Sequence, residues 1–284
     1  MKHFLQHALA ALVIVAVPFL AKAGDTDKVV MTIDGNDIYL SEFSYMYHKN
    51  CGDTNIETAR DFATSFALFK MKVYEAEAVG YDTLPTFKSE LAEYYRTIDS
   101  NDENLRREYR DGMLLFEITR SKVWHPSCLT GDRLKEHFEA NRGKFSWKEP
   151  RAKGWVLYSN DENLAKAACE YLNSNGCETL YDIRKDLKDR FGSQVTAGKF
   201  IVRRGLNPMV DALVFDGAAS YCPDNGWKVA VAYNFRVIDT PEEWQDVKGE
   251  LTEDFQNTLA ENWERELWAT HKVKFNYDVI DKEK

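Results

Sequence analysis

The hydrophobic pattern starts with a short period and then lengthens. Val29-Val30-Met31-Thr32-Ile33 and Asn36-Asp37-Ile38-Tyr39-Leu40 flank Asp34-Gly35, and two β-favouring runs around an Asp-Gly pair predict a hairpin. Ser41 is placed to cap a helix carrying Phe43, Met46 and Tyr47. Thr54 and Glu57 have the spacing of a capping box and predict the start of a longer helix. Its apolar side chains Phe62, Phe66, Phe69 and Val73 recur at helical spacing, and Gly80 stops it. Pro85 opens another helix through Phe87, Leu91 and Tyr94, which Asp99-Ser100-Asn101-Asp102 breaks or bends. A charged helix then runs to about Trp124, where His125-Pro126 forces a turn. A shorter helix around Leu134 and Phe138 ends at Gly143.

Beyond Pro150 strands return. Trp155-Val156-Leu157-Tyr158, Lys199-Phe200-Ile201-Val202 and Lys228-Val229-Ala230-Val231-Ala232-Tyr233 are the candidates. Between the first two lie helices near 161–174 and 178–191, the second with Leu180, Ile183, Leu187 and Phe191 on one face. Thr240-Pro241-Glu242-Glu243 then offers an N-cap, a proline at the first helical position and a capping-box glutamate. Trp244, Val247, Leu251, Phe255, Leu259, Trp263 and Leu267 follow at spacings of three, then four. Each four-residue step overshoots a turn by about 40°, so the stripe winds around the helix and calls for several neighbours. Val273-Lys274-Phe275-Asn276-Tyr277 is a last strand, suited to pairing with the opening hairpin. The order of elements predicts an α+β fold with no internal repeat.

At 44% apolar and 13% aromatic over 284 residues, the chain has the material for a packed core. A formal charge of −9 repels phosphate backbones, so nucleic acid is not an expected partner. Lys2, the apolar run Phe4 to Leu20, and Ala21-Lys22-Ala23 form a secretory signal peptide pattern with cleavage after Ala23. No second hydrophobic span follows, so stable membrane insertion is not expected of the mature chain. Cys51, Cys128, Cys169, Cys177 and Cys222 all lie in the exported part, and an odd number leaves at least one thiol unpaired.

Candidate chemistry is thin. There is no phosphate-binding glycine loop, nucleophile elbow or His-Glu-x-x-His helix, and the mature chain has only His48, His125, His137 and His271. His48-x-x-Cys51 and His125-x-x-Cys128 share a spacing that two nitrogens and two sulfurs on zinc would use. Coincidence explains it as well, with Cys51 and Cys128 free or joined as a disulfide. The carboxylates on the helices alternate with bases and read as solvated faces.

Several segments resemble SurA-type periplasmic chaperones with parvulin domains. They are Met31-Thr32-Ile33-Asp34-Gly35 through Leu40-Ser41-Glu42-Phe43-Ser44-Tyr45, and Phe69 to Gly80 with Asp82-Thr83-Leu84-Pro85. Phe145-Ser146-Trp147-Lys148-Glu149-Pro150-Arg151 and Glu242-Glu243-Trp244 to Val247 are similar too. The resemblance implies a signal peptide at 1–23, a helical chaperone domain at 24–148, a parvulin-like domain at 149–239 and a returning helix and strand at 240–284.

Parvulins isomerise X-Pro bonds, against an uncatalysed barrier of about 18–20 kcal/mol. The resemblance puts a histidine in the first strand after Arg-Ala and another after Gly-aromatic in a late strand. Here Arg151-Ala152 is followed by Lys153-Gly154, and Gly226-Trp227 by Lys228, so both histidines are missing. It also places apolar pocket positions at Leu206, Met209 and Phe215, with Trp227 beside them; these are the candidate peptide-binding residues, against the plainer reading that they are core. The reading that follows is a degenerate parvulin without catalytic residues, metal or cofactor: a periplasmic chaperone that holds unfolded exported or outer-membrane client polypeptides. Two rivals stand beside it. One is an active isomerase using Cys222, Tyr158 or Asp224; the other is a subunit dedicated to one envelope partner.

Overall fold

The computed structural model describes residues 27–52, 58–98, 102–175 and 180–283. The signal-peptide segment, the Thr54–Glu57 box, Asp99 to Asn101 and Cys177 lie outside the described residues, as does the side chain of Leu180. The fold is α+β, mostly helical, with two small antiparallel sheets. It divides into two compact units, one made of residues up to Ile118 together with Glu264 onward, the other of Thr119–Trp263.

In the first unit, β1 (Val29–Ile33) and β2 (Asn36–Tyr39) form the expected hairpin, with Asp34 and Gly35 at positive φ in the turn. β6 (Val273–Phe275) pairs antiparallel with β1, setting Met31 opposite Phe275, so the sheet order is β2-β1-β6. Asp34 fixes that junction by accepting from Lys272 N at 2.7 Å and lying 2.5 Å from His271 Nδ1. The strand is shorter than expected, because Tyr277 begins a helical turn, Tyr277–Ile280.

The first-unit helices are α1 (Leu40–Cys51), α2 (Ala59–Ala78), α3 (Pro85–Thr97) and α4 (Glu103–Thr119). Ser41 does not cap α1: Tyr39 is the N-cap, while the Ser41 amide and hydroxyl both go to Asp27. α2 starts after Thr58, which accepts from Asp61 N. Phe62, Phe66 and Val73 are buried as the spacing requires, whereas Phe69 is only half-buried. Phe43, Tyr47, Phe62 and Phe66 pack ring to ring, with centroids 5.4–6.1 Å apart. Beneath them Lys70 reaches Asp111 at 2.6 Å and Glu42 at 3.0 Å, so this buried charge is paired on both sides.

In the second unit, α5 (Gly131–Asn141) packs on the start of α8 (Lys248–Thr270) through Leu134, Phe138, Phe145, Val247, Leu251 and Phe255. His137 Nε2 meets Asp254 Oδ2 at 2.7 Å on the same contact. The sheet has order β4-β3-β5, from β3 (Arg151–Ser159), β4 (Val195–Arg203) and β5 (Val229–Ile238), all antiparallel. α6 (Glu162–Asn175) and α7 (Leu180–Phe191) cover one of its faces.

α8 begins later than the sequence suggests. Thr240 and Pro241 are not its cap; a 3₁₀ turn, Trp244–Val247, precedes it, and a capping box forms between Glu243 and Asp246. The cause is a distant partner. Asp246 accepts from the amides of Glu242 and Glu243 at 3.0 and 3.3 Å and also binds the buried Lys153 of β3 at 2.8 Å. Lys153 further donates to Glu242 and Glu243, and Lys199 joins Glu243 at 2.9 Å.

Cys128, Cys169 and Cys222 carry free thiols, so the bridge left open for Cys128 is not made. His48 pairs with Glu283 and His125 with Ser127, and among the described residues no group of His, Cys, Asp and Glu is arranged to hold a metal ion. No helix among them is long and apolar enough to cross a membrane.

Candidate functional site

Alternation along three strands builds the site. In β3, Trp155 and Leu157 point toward α6 and α7, while Ala152, Gly154, Val156 and Tyr158 lie on the other face. In β4 the same rule sends Val195 and Ala197 one way and Phe200 and Val202 the other. In β5 it sends Val231 and Tyr233 toward the helices and Ala230 and Ala232 away.

The second face has a light cover. Asn207 caps a single helical turn, Pro208–Val210, by accepting from Val210 N at 3.1 Å. A π-turn, Asp211–Phe215, continues it. The Asp211 carboxylate accepts from Gly205 N at 3.0–3.1 Å and holds the loop entering that turn. Met209, Val210 and Leu213 are buried against the sheet. Phe200, Val202, Val214, Phe215, Tyr221, Trp227 and Phe235 pack beside them but stay partly exposed.

Met209, Phe215 and Trp227 therefore come together in one apolar cluster. Leu206 does not join it: it is 61% exposed in the turn after β4, where its amide donates to Arg203 O. Phe200, Val202, Tyr221 and Phe235 belong to the face and were not singled out from sequence. Strand alternation from Val195 could have found Phe200 and Val202.

The positions where the resemblance expects histidines are occupied differently. A side chain at 154 would have its Cβ 2.5 Å from Phe235 Cγ and 2.6 Å from Phe235 Cα, inside any allowed contact. Lys228 is exposed, and its amide donates to Asn160 at 3.2 Å. Of the rival polar residues, Cys222 and Asp224 are exposed. Tyr158 is buried, and desolvation pushes its phenol up, keeping it protonated.

The first unit offers a different kind of concavity. An open cleft of about 580 Å³ is lined by Asp27, Glu42, Lys70, Arg107, Arg110 and Asp111 among others. Its bases already meet acids: Lys70 and Arg107 pair with Glu42, and Arg110 pairs with Asp111. Mutually paired charge, buried at Lys70 and Asp111, fixes structure and leaves little for a ligand.

The class that fold and site define is an α+β chain carrying an aromatic sheet face with a light cover. No protein-family model and no curated protein matches the sequence. The structure is similar to SurA-like chaperones and to PrsA foldases. The SurA-like match is with a chain of the Campylobacter jejuni pair PEB4 and Cj1289, at 12% identity over 87% of this chain and 98% of that one, TM-score 0.37. The foldase PrsA of Lactococcus lactis matches at 11% identity over 90% and 93%, TM-score 0.24. PrsA of Streptococcus pneumoniae matches at 14% over 90% and 98%, TM-score 0.26.

Proposed function

We propose that the protein is an exported holding chaperone, with its leader removed after Ala23, that captures apolar and aromatic segments of unfolded exported or outer-membrane proteins on the lightly covered face of the β3–β5 sheet. The observation that carries this reading is that Phe200, Phe215, Tyr221, Trp227 and Phe235 share one face and are all left partly exposed. Clustered aromatics that a chain does not bury for itself are suited to burying another chain's apolar side chains. Burial of apolar area alone drives such capture, at roughly 25 cal/mol per Å² before ordering costs. Binding the unfolded state slows its aggregation without any chemical step. The net charge, −9 for the full sequence and −11 once Lys2 and Lys22 leave with the leader, opposes self-association of the loaded protein.

The test is light scattering from a denatured outer-membrane protein diluted into buffer without nucleotide. The mature chain is expected to suppress the scattering at near-stoichiometric amounts, and Met209→Ala with Trp227→Ala to weaken that suppression. A protease-coupled proline-peptide assay runs beside it. Rate enhancement that Met209→Ala abolishes would make the protein an isomerase and overturn the holding reading.

A further inference from the structure

The pairing of β3 with β5 slips by one residue at a single place. Lys153 stands opposite Arg236 and Trp155 opposite Tyr233, so Gly154 alone answers both Asn234 and Phe235. This is a β-bulge on β5, and Asn234 takes it up in the left-handed region at φ 47°. The extra residue changes the phase of the strand. Without it, Phe235 would follow Val231 and Tyr233 toward the helices; with it, Phe235 lies over Gly154 among Met209, Phe215 and Trp227. Position 154 therefore carries no side chain, and a phenyl ring supplies the surface there.

That exchange decides what the face can recognise. Twisting a peptide bond is accelerated by fixed dipoles aimed at the rotating amide, and an aromatic ring in that place supplies no hydrogen-bond donor or acceptor. Two cations beside the face are neutralised: Arg204, which lies over the Phe215 ring at 5.6 Å, meets Asp216 at 2.8 Å, and Arg236 meets Glu242; Asp224 and Lys228 stand exposed next to it, one of each sign. Beyond the polar tips of Tyr158, Tyr221 and Trp227, apolar area is the main basis for selection. We infer that Phe235 sets the specificity of this face, which takes uncharged extended segments by their aromatic and aliphatic side chains and is indifferent to the presence of proline. The inference rests on the holding reading and adds to it which segments are held.

The experiment uses the full mature chain and two fluorescein-labelled peptides rich in aromatic residues, identical except for a central proline changed to alanine. Fluorescence anisotropy is expected to give dissociation constants within about twofold of each other. Phe235→Ala should weaken both by about fivefold or more, as truncating a buried contact aromatic does. Phe235→Leu keeps apolar bulk over Gly154 and should retain binding without gaining a proline preference, which covers the case where the alanine variant folds poorly. A preference of about tenfold for the proline peptide overturns the inference, as does unchanged binding by a folded Phe235→Ala. If Met209→Ala and Trp227→Ala weaken binding while Phe235→Ala does not, only this inference falls. If none of the three matters, the holding reading falls with it.

Discussion

The two faces of the β4-β3-β5 sheet are made by the same strands under the same alternation, yet they end differently. On the helix-covered face, Leu157, Ala165, Ala168, Leu172, Ile183 and Leu187 are fully buried beneath α6 and α7. On the other, one helical turn and one π-turn set Met209, Val210 and Leu213 down on Ala152, Val156 and Ala230 and leave the surrounding aromatics partly exposed. Composition does not separate them, since both are apolar. The amount of chain laid over each face does. A face under two full helices is closed core; the face under Pro208–Phe215 is buried at its centre and keeps partly exposed aromatics around it.

The sharpest way to break this contrast is to truncate equivalent apolar side chains on each side. Leu172→Ala and Leu187→Ala should each lower unfolding free energy by about 2–5 kcal/mol, the range for cavities in a packed core. Trp227→Ala should lower it by less, about 1–2 kcal/mol, because part of the ring already meets water. Urea unfolding followed by far-UV circular dichroism measures both. Equal losses would mean that the second face is ordinary core and would count against the proposed capture surface.

A middle-sized effect probes the bulge. Gly154→Ala forces a methyl into Phe235, backbone included, and overpacking of this kind costs about 1–3 kcal/mol. Gly198→Ala, on the same face, would meet the partly exposed Phe200 ring at 3.1 Å and the Tyr158 ring at an ordinary 3.4 Å, with no backbone in the way. The second substitution should lower the melting temperature visibly less than the first. A similar drop for the two would show that the strand slip at Asn234 is not rigid.

What the sequence made legible follows the range of the forces involved. The Asp34-Gly35 hairpin, the buried Phe62–Phe66 face of α2 and the strand–helix–helix–strand order after Pro150 depend on neighbours a few residues away, and all stand in the structure. Ser41 and Thr240 were misread because distant residues decide them: Asp27 takes up Ser41, and Lys153 draws Asp246 into the box that starts α8. The same holds at the site. Met209, Phe215 and Trp227 could be named from a pattern, but Leu206 turned outward with its loop. Phe235 could not be placed without the one-residue slip opposite Gly154. Asn234 was the only local hint, being a residue type that tolerates positive φ.

The smallest effect sharpens the comparison through charge. The helix-covered face of β3 ends in Lys153, whose ammonium gathers Glu242, Glu243 and Asp246, whereas the aromatic cluster contains no carboxylate. Burial alone would raise the Glu243 pKa, but hydrogen bonds from Lys153 and Lys199 outweigh it and hold the carboxyl at about 2. Asp254 is lowered in the same sense, against its own desolvation, by His137 and Lys144. Because the folded pKa lies below the unfolded one, this stabilisation is complete above the ordinary carboxylate range and is lost as pH falls through it toward about 2. The Glu243 side chain is 41% exposed, so its share is about 1 kcal/mol or less and shrinks in salt. Urea midpoints should stay level from pH 7 to 5 and fall below about 4.5, where carboxylates protonate. Glu243→Gln should start lower at pH 7 and converge on the parent near pH 2. Peptide affinity of the aromatic face should stay level from pH 7 to 5, since nothing in that cluster titrates there. Parallel curves for parent and variant down to pH 2 would remove Glu243 from this cluster and leave Glu242 and Asp246 to hold Lys153.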